Sequence, residues 1–157
     1  MSASRAERAD VVALLNQAGL PDGAIIYDLG CGWGAQVISL AHAFPGALIR
    51  GIEVSPLPYW VALIRTRSLP NVVVQRGNFF DLELQDAHAI TCYLMPNAMP
   101  KLAAFLDVVL RPGTPVVALS FWFRDRQMSA SRKGAGLLRA AALYFWPAHK
   151  SEVAIAQ

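Results

Sequence analysis

The residues with chemistry to offer gather in the stretch "IIYDLGCGWGAQVISLAHAF", Ile25 to Phe44. Asp28 stands two positions ahead of Gly30, and Gly30, Gly32 and Gly34 alternate through a turn between an apolar run and a helix. Bare amides at the start of a helix suit an anionic or hydrogen-bonding ligand. The letters fit two loops. One is the dinucleotide pattern G-x-G-x-x-A, counted through Ala35. The other is an S-adenosylmethionine (SAM) pattern, D-x-G-x-G-x-G, counted from Asp28. A turn that serves only tight helix–strand packing is the plain alternative.

Asp28 separates the two ligands. A dinucleotide brings a pyrophosphate to such a turn. A carboxylate beside it would repel it by several kcal/mol at ~4 Å and intermediate dielectric. SAM has no phosphate. Its α-ammonium and sulfonium are cationic, and its carboxylate can meet the helix N-terminus and the glycine amides.

Glu53 ends the run "ALIRGIEV", 25 residues after Asp28, where an acid can accept both ribose hydroxyls. NAD uses the same contact, so Glu53 does not discriminate. In "RGNFFDLEL", the Asn78 oxygen can accept from the adenine amino group. The Phe79 N–H can donate to the ring, and a phenyl ring can cover its face. Phe79 and Phe80 as core residues fit as well. Tyr93, in "AITCYLM", offers a hydroxyl at a strand end or packs in the core. His42, His88 and His149 have no partner by spacing and receive no catalytic role. Cys31 and Cys92 form neither a CxxC nor a zinc-type spacing, so neither a disulfide nor a metal site is expected.

Behind these residues the elements alternate. "RADVVALLNQAGL" has the pattern of a short amphipathic helix closed by Gly19. "AIIYDL", "ALIRGIEV", "NVVVQRG", "AITCYLM" and "TPVVALSFWF" read as strands one to five, and "AALYFWPA" as a last strand returning beside the fifth. Helices fall between them at 34–44, 55–68 and 97–110. Ser55 can cap the second of these, and Pro56 and Pro100 sit where a missing N–H does least harm. Such alternation predicts an α/β fold: a doubly wound, mostly parallel sheet with helices on both faces. Ligands on these sheets bind beyond the strands' carboxyl ends at the topological switch point, where the glycine turn sits.

Length and composition agree with one domain over residues 1–157. The chain is 55% hydrophobic and 16% charged, too apolar for disorder. "MSASRAERAD" lacks the apolar centre of a secretory signal, and no run approaches the roughly 20 apolar residues of a membrane span. A cytoplasmic protein is expected. Of the net charge of +3, an excess sits between Arg124 and Arg139, where Arg124, Arg126, Arg132, Lys133 and Arg139 face one acid, Asp125. The Gly/Ser-rich "RQMSASRKGAGLLR" within it reads as a solvated, mobile loop near the acceptor entrance. Without interleaved aromatics it makes no platform for nucleic acid, and no nucleic-acid partner is expected.

From about Gly23 to Trp122 the chain resembles the class I SAM-dependent methyltransferases. Within them it resembles the small protein-lysine methyltransferases that include archaeal broad-specificity enzymes and relatives acting on the ATP synthase c-subunit. The pieces that carry this are "YDLGCGWG", "GIEVSPLPYW", "GNFFDLEL", "DAHAITCYLMPNAMPKL" and "LRPGTPVVALSF". The resemblance implies a Rossmann-like methyltransferase fold with a shortened N-terminal segment and a reduced antiparallel edge at the C-terminal end. It implies SAM as cofactor, held by Asp28, Gly30, Cys31, Gly32, Glu53, Val54, Asn78 and Phe79. Tyr93 and Pro96 would lie where the acceptor enters, with Tyr93 orienting it, and the acceptor would be a protein with an accessible lysine. A small-molecule acceptor and a non-catalytic NAD(P)-binding module are the alternatives. The chain departs from the group's pattern at Trp33, at His88 where an aspartate is usual, and at Asn97.

Overall fold

The computed structural model describes residues 2–133 and 140–150. Helix α1 (Arg5–Ala18) opens on a reciprocal cap: the Ser4 hydroxyl accepts from the Glu7 N–H at 3.3 Å, and the Glu7 carboxylate accepts from the Ser4 N–H at 2.6 Å. The helix begins three residues earlier than its apolar periodicity, because this cap satisfies the orphan amides of the first turn.

Strands β1 (Ile25–Leu29), β2 (Leu48–Glu53), β3 (Val72–Arg76), β4 (Ala89–Cys92) and β5 (Pro115–Leu119) are parallel. Helices α2 (Ala35–Ala43), α3 (Pro56–Thr66) and α4 (Met99–Val109) connect them. The last two strands, β6 (Ala130–Lys133) and β7 (Ala140–Phe145), run antiparallel and complete a seven-stranded sheet in the order β3-β2-β1-β4-β5-β7-β6. Helices cover both faces. On one, Val11, Leu14 and Leu15 of α1 and Val37 and Leu40 of α2 pack on Ile26, Ile49, Val117 and Leu143. On the other, Leu102 and Leu106 of α4 pack on Ile90, Val116, Tyr144 and Trp146. Val116 and Val117 thus serve opposite cores, as the two-residue period of a strand requires. The chain order reverses between β1 and β4, and that is the switch point.

Two details correct the reading of the C-terminal third. The stretch expected to be a mobile loop contributes β6, whose exposed residues pair with the buried β7. An edge strand facing solvent has no apolar alternation to announce it. Arg126, counted with the solvated cations, is buried with a side chain only 6% exposed against Asp107. Arg132 meets Asp10 of α1 at 3.1 Å. Arg139 lies outside the described residues. Among the described residues no helix is long and apolar enough to cross a membrane.

Candidate functional site

At the switch point β1 and β4 stand in register with Asp28 opposite Thr91, and the Thr91 hydroxyl donates to the Asp28 carboxylate at 2.9 Å. Asp28 is 5% exposed. Its burial pushes the carboxyl up to about 7; the Thr91 hydrogen bond opposes the rise and nearby Glu53 adds to it. A buried acid with a neutral partner and no cation beside it among the described residues is electrostatically incomplete, and a cationic ligand would complete it.

The turn after β1 owes its path to the next strand, because the Gly30 and Cys31 amides both donate to the Ile52 carbonyl at 2.9 Å. Gly30 has φ +73°, and a Cβ there would lie 2.8 Å from the Leu94 side chain. Gly34, at φ +88°, lets the start of α2 approach Ala62, where a Cβ would stand 3.1 Å from the Ala62 Cβ. Gly30→Ala should therefore destabilise the protein by at least the roughly 1–2 kcal/mol of a left-handed alanine, read as a lowered unfolding midpoint in urea. An unchanged midpoint would contradict this turn geometry.

Glu53 is buried at the end of β2, and its two oxygens accept from the Gly32 and Ser55 amides, each at 2.8 Å. These bonds lock the glycine turn to β2. A carboxylate has about four acceptor sites, so each oxygen keeps one for a ligand hydroxyl. Val54 beyond it is 61% exposed. The Gly77 amide donates to the Glu53 carbonyl at 3.0 Å and brings the end of β3 alongside. There Asn78 caps a short 3-10 turn, its side-chain oxygen accepting from the Phe80 N–H at 3.0 Å. That oxygen retains one lone pair. Phe79 is half-buried, and its ring centroid lies 4.5 Å from that of Phe80, which itself packs on Phe105 of α4.

A cleft beside Asp28 is lined by Gly30, Cys31, Gln36, Thr91 and Tyr93, together with Ser2 and Ala3. Pro96 is not in it. It lines a wider groove of about 870 Å³ between α4 and the segment Ser120–Arg126. The two acceptor-side residues thus line separate cavities, not one shared entrance. Burial raises the Cys31 and Cys92 thiols, Cys92 to about 12, and neighbouring Asp28 adds to both rises. Neither is a nucleophile at neutral pH. The His88 ring nitrogen Nδ1 accepts from the Ile25 N–H at 2.9 Å, the acceptor role a carboxylate could fill at that position. Among the described residues no cluster of three or more His, Cys, Asp or Glu could hold a metal ion. Thr91 and Gln36 are the site residues that spacing did not single out. Thr91 reads as an ordinary strand former, while Gln36 is a polar side chain in an otherwise apolar helix.

The residues present suit SAM: a glycine turn at the end of β1, a buried acid with no cationic partner among the described residues, and an acid with two unused acceptor sites at the neighbouring strand end. Fold and site together define a SAM-dependent methyltransferase with a class I, Rossmann-like sheet. The chain belongs to the family described as the ANTKMT methyltransferase domain, whose model matches residues 28–130. It is 31% identical over 114 residues to a protein-lysine N-methyltransferase of Saccharolobus islandicus, covering 71% of each chain. It is 34% identical over 94 residues to a trans-aconitate 2-methyltransferase of Deinococcus radiodurans, across 57% of this chain and 35% of that one. Among solved structures it superposes on an RNA methyltransferase from Salinibacter ruber in complex with S-adenosyl-L-homocysteine, with a TM-score of 0.82 and 27% identity over 97% of both chains.

Proposed function

We propose that the protein N-methylates a lysine side chain of a protein substrate in the cytoplasm. The observation that carries the choice of acceptor is the likeness to the Saccharolobus islandicus protein-lysine N-methyltransferase over 71% of the chain. In this reading Asp28 faces the cationic end of the cofactor and Glu53 accepts the ribose hydroxyls. Asn78 and Phe79 hold the adenine, and the backbones of Gly30, Cys31, Gly32 and Val54 shape the wall. Bound SAM supplies a methyl group on a cationic sulfur, open to in-line displacement by a lone pair.

The residues of the chain then have three tasks. They align the acceptor, exclude water, and keep the attacking amine neutral, since free lysine has a pKa of about 10.4. Tyr93 lines the cleft beside Asp28. Its hydroxyl oxygen can accept one amine N–H and so aim the nitrogen lone pair into the cleft, while Pro96 borders the outer groove through which a peptide approaches. Tyr93→Phe should lower kcat roughly ten- to a hundredfold, as loss of one orienting group does, with SAM affinity unchanged by calorimetry. Equal losses in both would place Tyr93 with the cofactor instead.

RNA is the second reading, favoured by the Salinibacter ruber structure, which matches over 97% of both chains. One experiment separates the acceptors. Radiolabelled SAM and enzyme are incubated with a cell lysate, and the label is followed through protease and ribonuclease digestion. Label in protein, located on lysine by mass spectrometry, supports the proposal. Label released only by ribonuclease, or confined to small metabolites, would replace it while leaving the methyltransferase intact.

A further inference from the structure

Gln36 stands in the first turn of α2, directly after the glycine turn, and lines the cleft that holds Asp28, Gly30 and Tyr93. Both ends of its carboxamide, Oε1 and Nε2, are buried with no hydrogen-bond partner among the described residues. Burying an unpaired polar atom forfeits its hydrogen bonds to water with nothing in return, and here two such atoms occupy one side chain. Native proteins leave few such groups. A leucine or isoleucine would suit the apolar neighbours of α2 better, so a carboxamide in this place points to a ligand.

The chemistry of the amide selects the ligand. It presents a donor and an acceptor side by side, so its complement is a group with an acceptor and a donor equally close. The α-carboxylate and α-ammonium of an amino acid are such a pair. A neutral acceptor amine is not: it must keep its lone pair for the methyl group and would leave Nε2 unpaired. The ribose and adenine are poorer matches, because Glu53 and Asn78 lie outside this cleft at the ends of β2 and β3. We propose that Gln36 reads the amino-acid end of the cofactor, Nε2 donating to the α-carboxylate and Oε1 accepting from the α-ammonium. Asp28 balances the remaining positive charge. The proposal rests on SAM being the cofactor and is independent of which acceptor is methylated.

The test uses three ligands and the intact chain. Calorimetry compares wild type with Gln36→Met, which keeps the length and removes both polar atoms. The ligands are SAM, S-adenosylhomocysteine and 5′-methylthioadenosine, which lacks the amino-acid end. SAM and S-adenosylhomocysteine should bind the variant roughly ten- to a hundredfold more weakly, the range expected for lost hydrogen bonds to charged groups. The affinity for 5′-methylthioadenosine should not change. Without ligand the variant should melt at the same temperature as wild type or higher, since no unpaired amide remains. Unchanged SAM affinity, or a loss shared equally by 5′-methylthioadenosine, overturns the assignment. Failure of wild type to bind SAM at all would overturn the cofactor reading with it, and the two failures are thus distinguishable.

Discussion

Asp28→Asn should make the ligand-free protein more stable at pH 8 and weaken its binding of SAM. The opposed signs come from one cause. With the carboxyl raised from 3.8 to about 7 by burial, native Asp28 keeps its proton between about pH 4 and 7, where the unfolded chain has lost it. The native state binds more protons there, so stability falls as pH rises across that window and levels off above it. Asparagine has the same shape, can still accept from Thr91, and carries no charge to bury. The variant should match wild type near pH 4 and exceed it above pH 7 by on the order of 2–4 kcal/mol, because a tenfold change in proton affinity corresponds to about 1.36 kcal/mol.

Binding reverses the preference, because the cationic end of SAM favours the ionised carboxylate. Wild-type affinity should rise by about tenfold per pH unit up to about 7 and then flatten. SAM binding below pH 7 should release a proton, seen as a dependence of the calorimetric heat on buffer ionisation enthalpy. The variant should bind roughly ten- to a hundredfold more weakly at pH 8, the range for a hydrogen bond to a charged group, and show neither effect. If Asp28→Asn binds SAM as tightly as wild type at pH 8, the acid does not face the cation.

How much of this was legible before the structure depended on whether a feature is local. The glycine turn, Asp28 and the acid at Glu53 are local, each fixed by its place relative to one strand end. The strand–helix alternation gave the parallel order through β5, and "AALYFWPA" gave the returning β7. Strand β6 escaped because only Ala130 of its four residues packs on the core, and its polar residues pair with a strand further along the chain. Gln36 and Thr91 escaped for another reason. Their meaning lies in what surrounds them: a buried amide without a partner among the described residues, and a hydroxyl set opposite Asp28 by the register of β1 and β4. Register is a tertiary quantity. His88 shows the reverse case, a departure from the family pattern visible in the letters and explained only by its bond to the Ile25 amide.

Asp107 and Arg126 illustrate the same limit at the largest energetic scale. In the letters Asp107 is merely a charge interrupting an apolar helix, and Arg126 one cation of a basic run. In the fold they form a two-pronged pair, with both guanidinium nitrogens Nη1 and Nη2 donating to the carboxylate at 2.7 Å. Arg126 also donates to the Pro147 carbonyl at 2.8 Å and lies 4.7 Å from the centre of the Trp146 ring, whose Nε1–H donates to Asp107 at 3.0 Å. The cluster ties α4 to the end of β7, beneath the groove that Pro96 lines. The hydrogen bond from Arg126 holds the Asp107 carboxyl below its ordinary range. Its contribution is present above the unfolded value near 4 and fades as pH falls below it. Breaking a buried pair costs about 3–5 kcal/mol. Since Asp107 keeps a third of its side chain in water, Asp107→Asn should lose less, roughly 2–4 kcal/mol at pH 7. The gap to wild type should narrow as the pH drops below about 4. Arg126→Met combined with Asp107→Leu should recover most of the loss, because no uncompensated charge is left inside. Urea unfolding of the three variants tests this. A change within about 0.5 kcal/mol for Asp107→Asn, the size of an ordinary surface pair, would show that the Asp107–Arg126 cluster behaves as a solvated one.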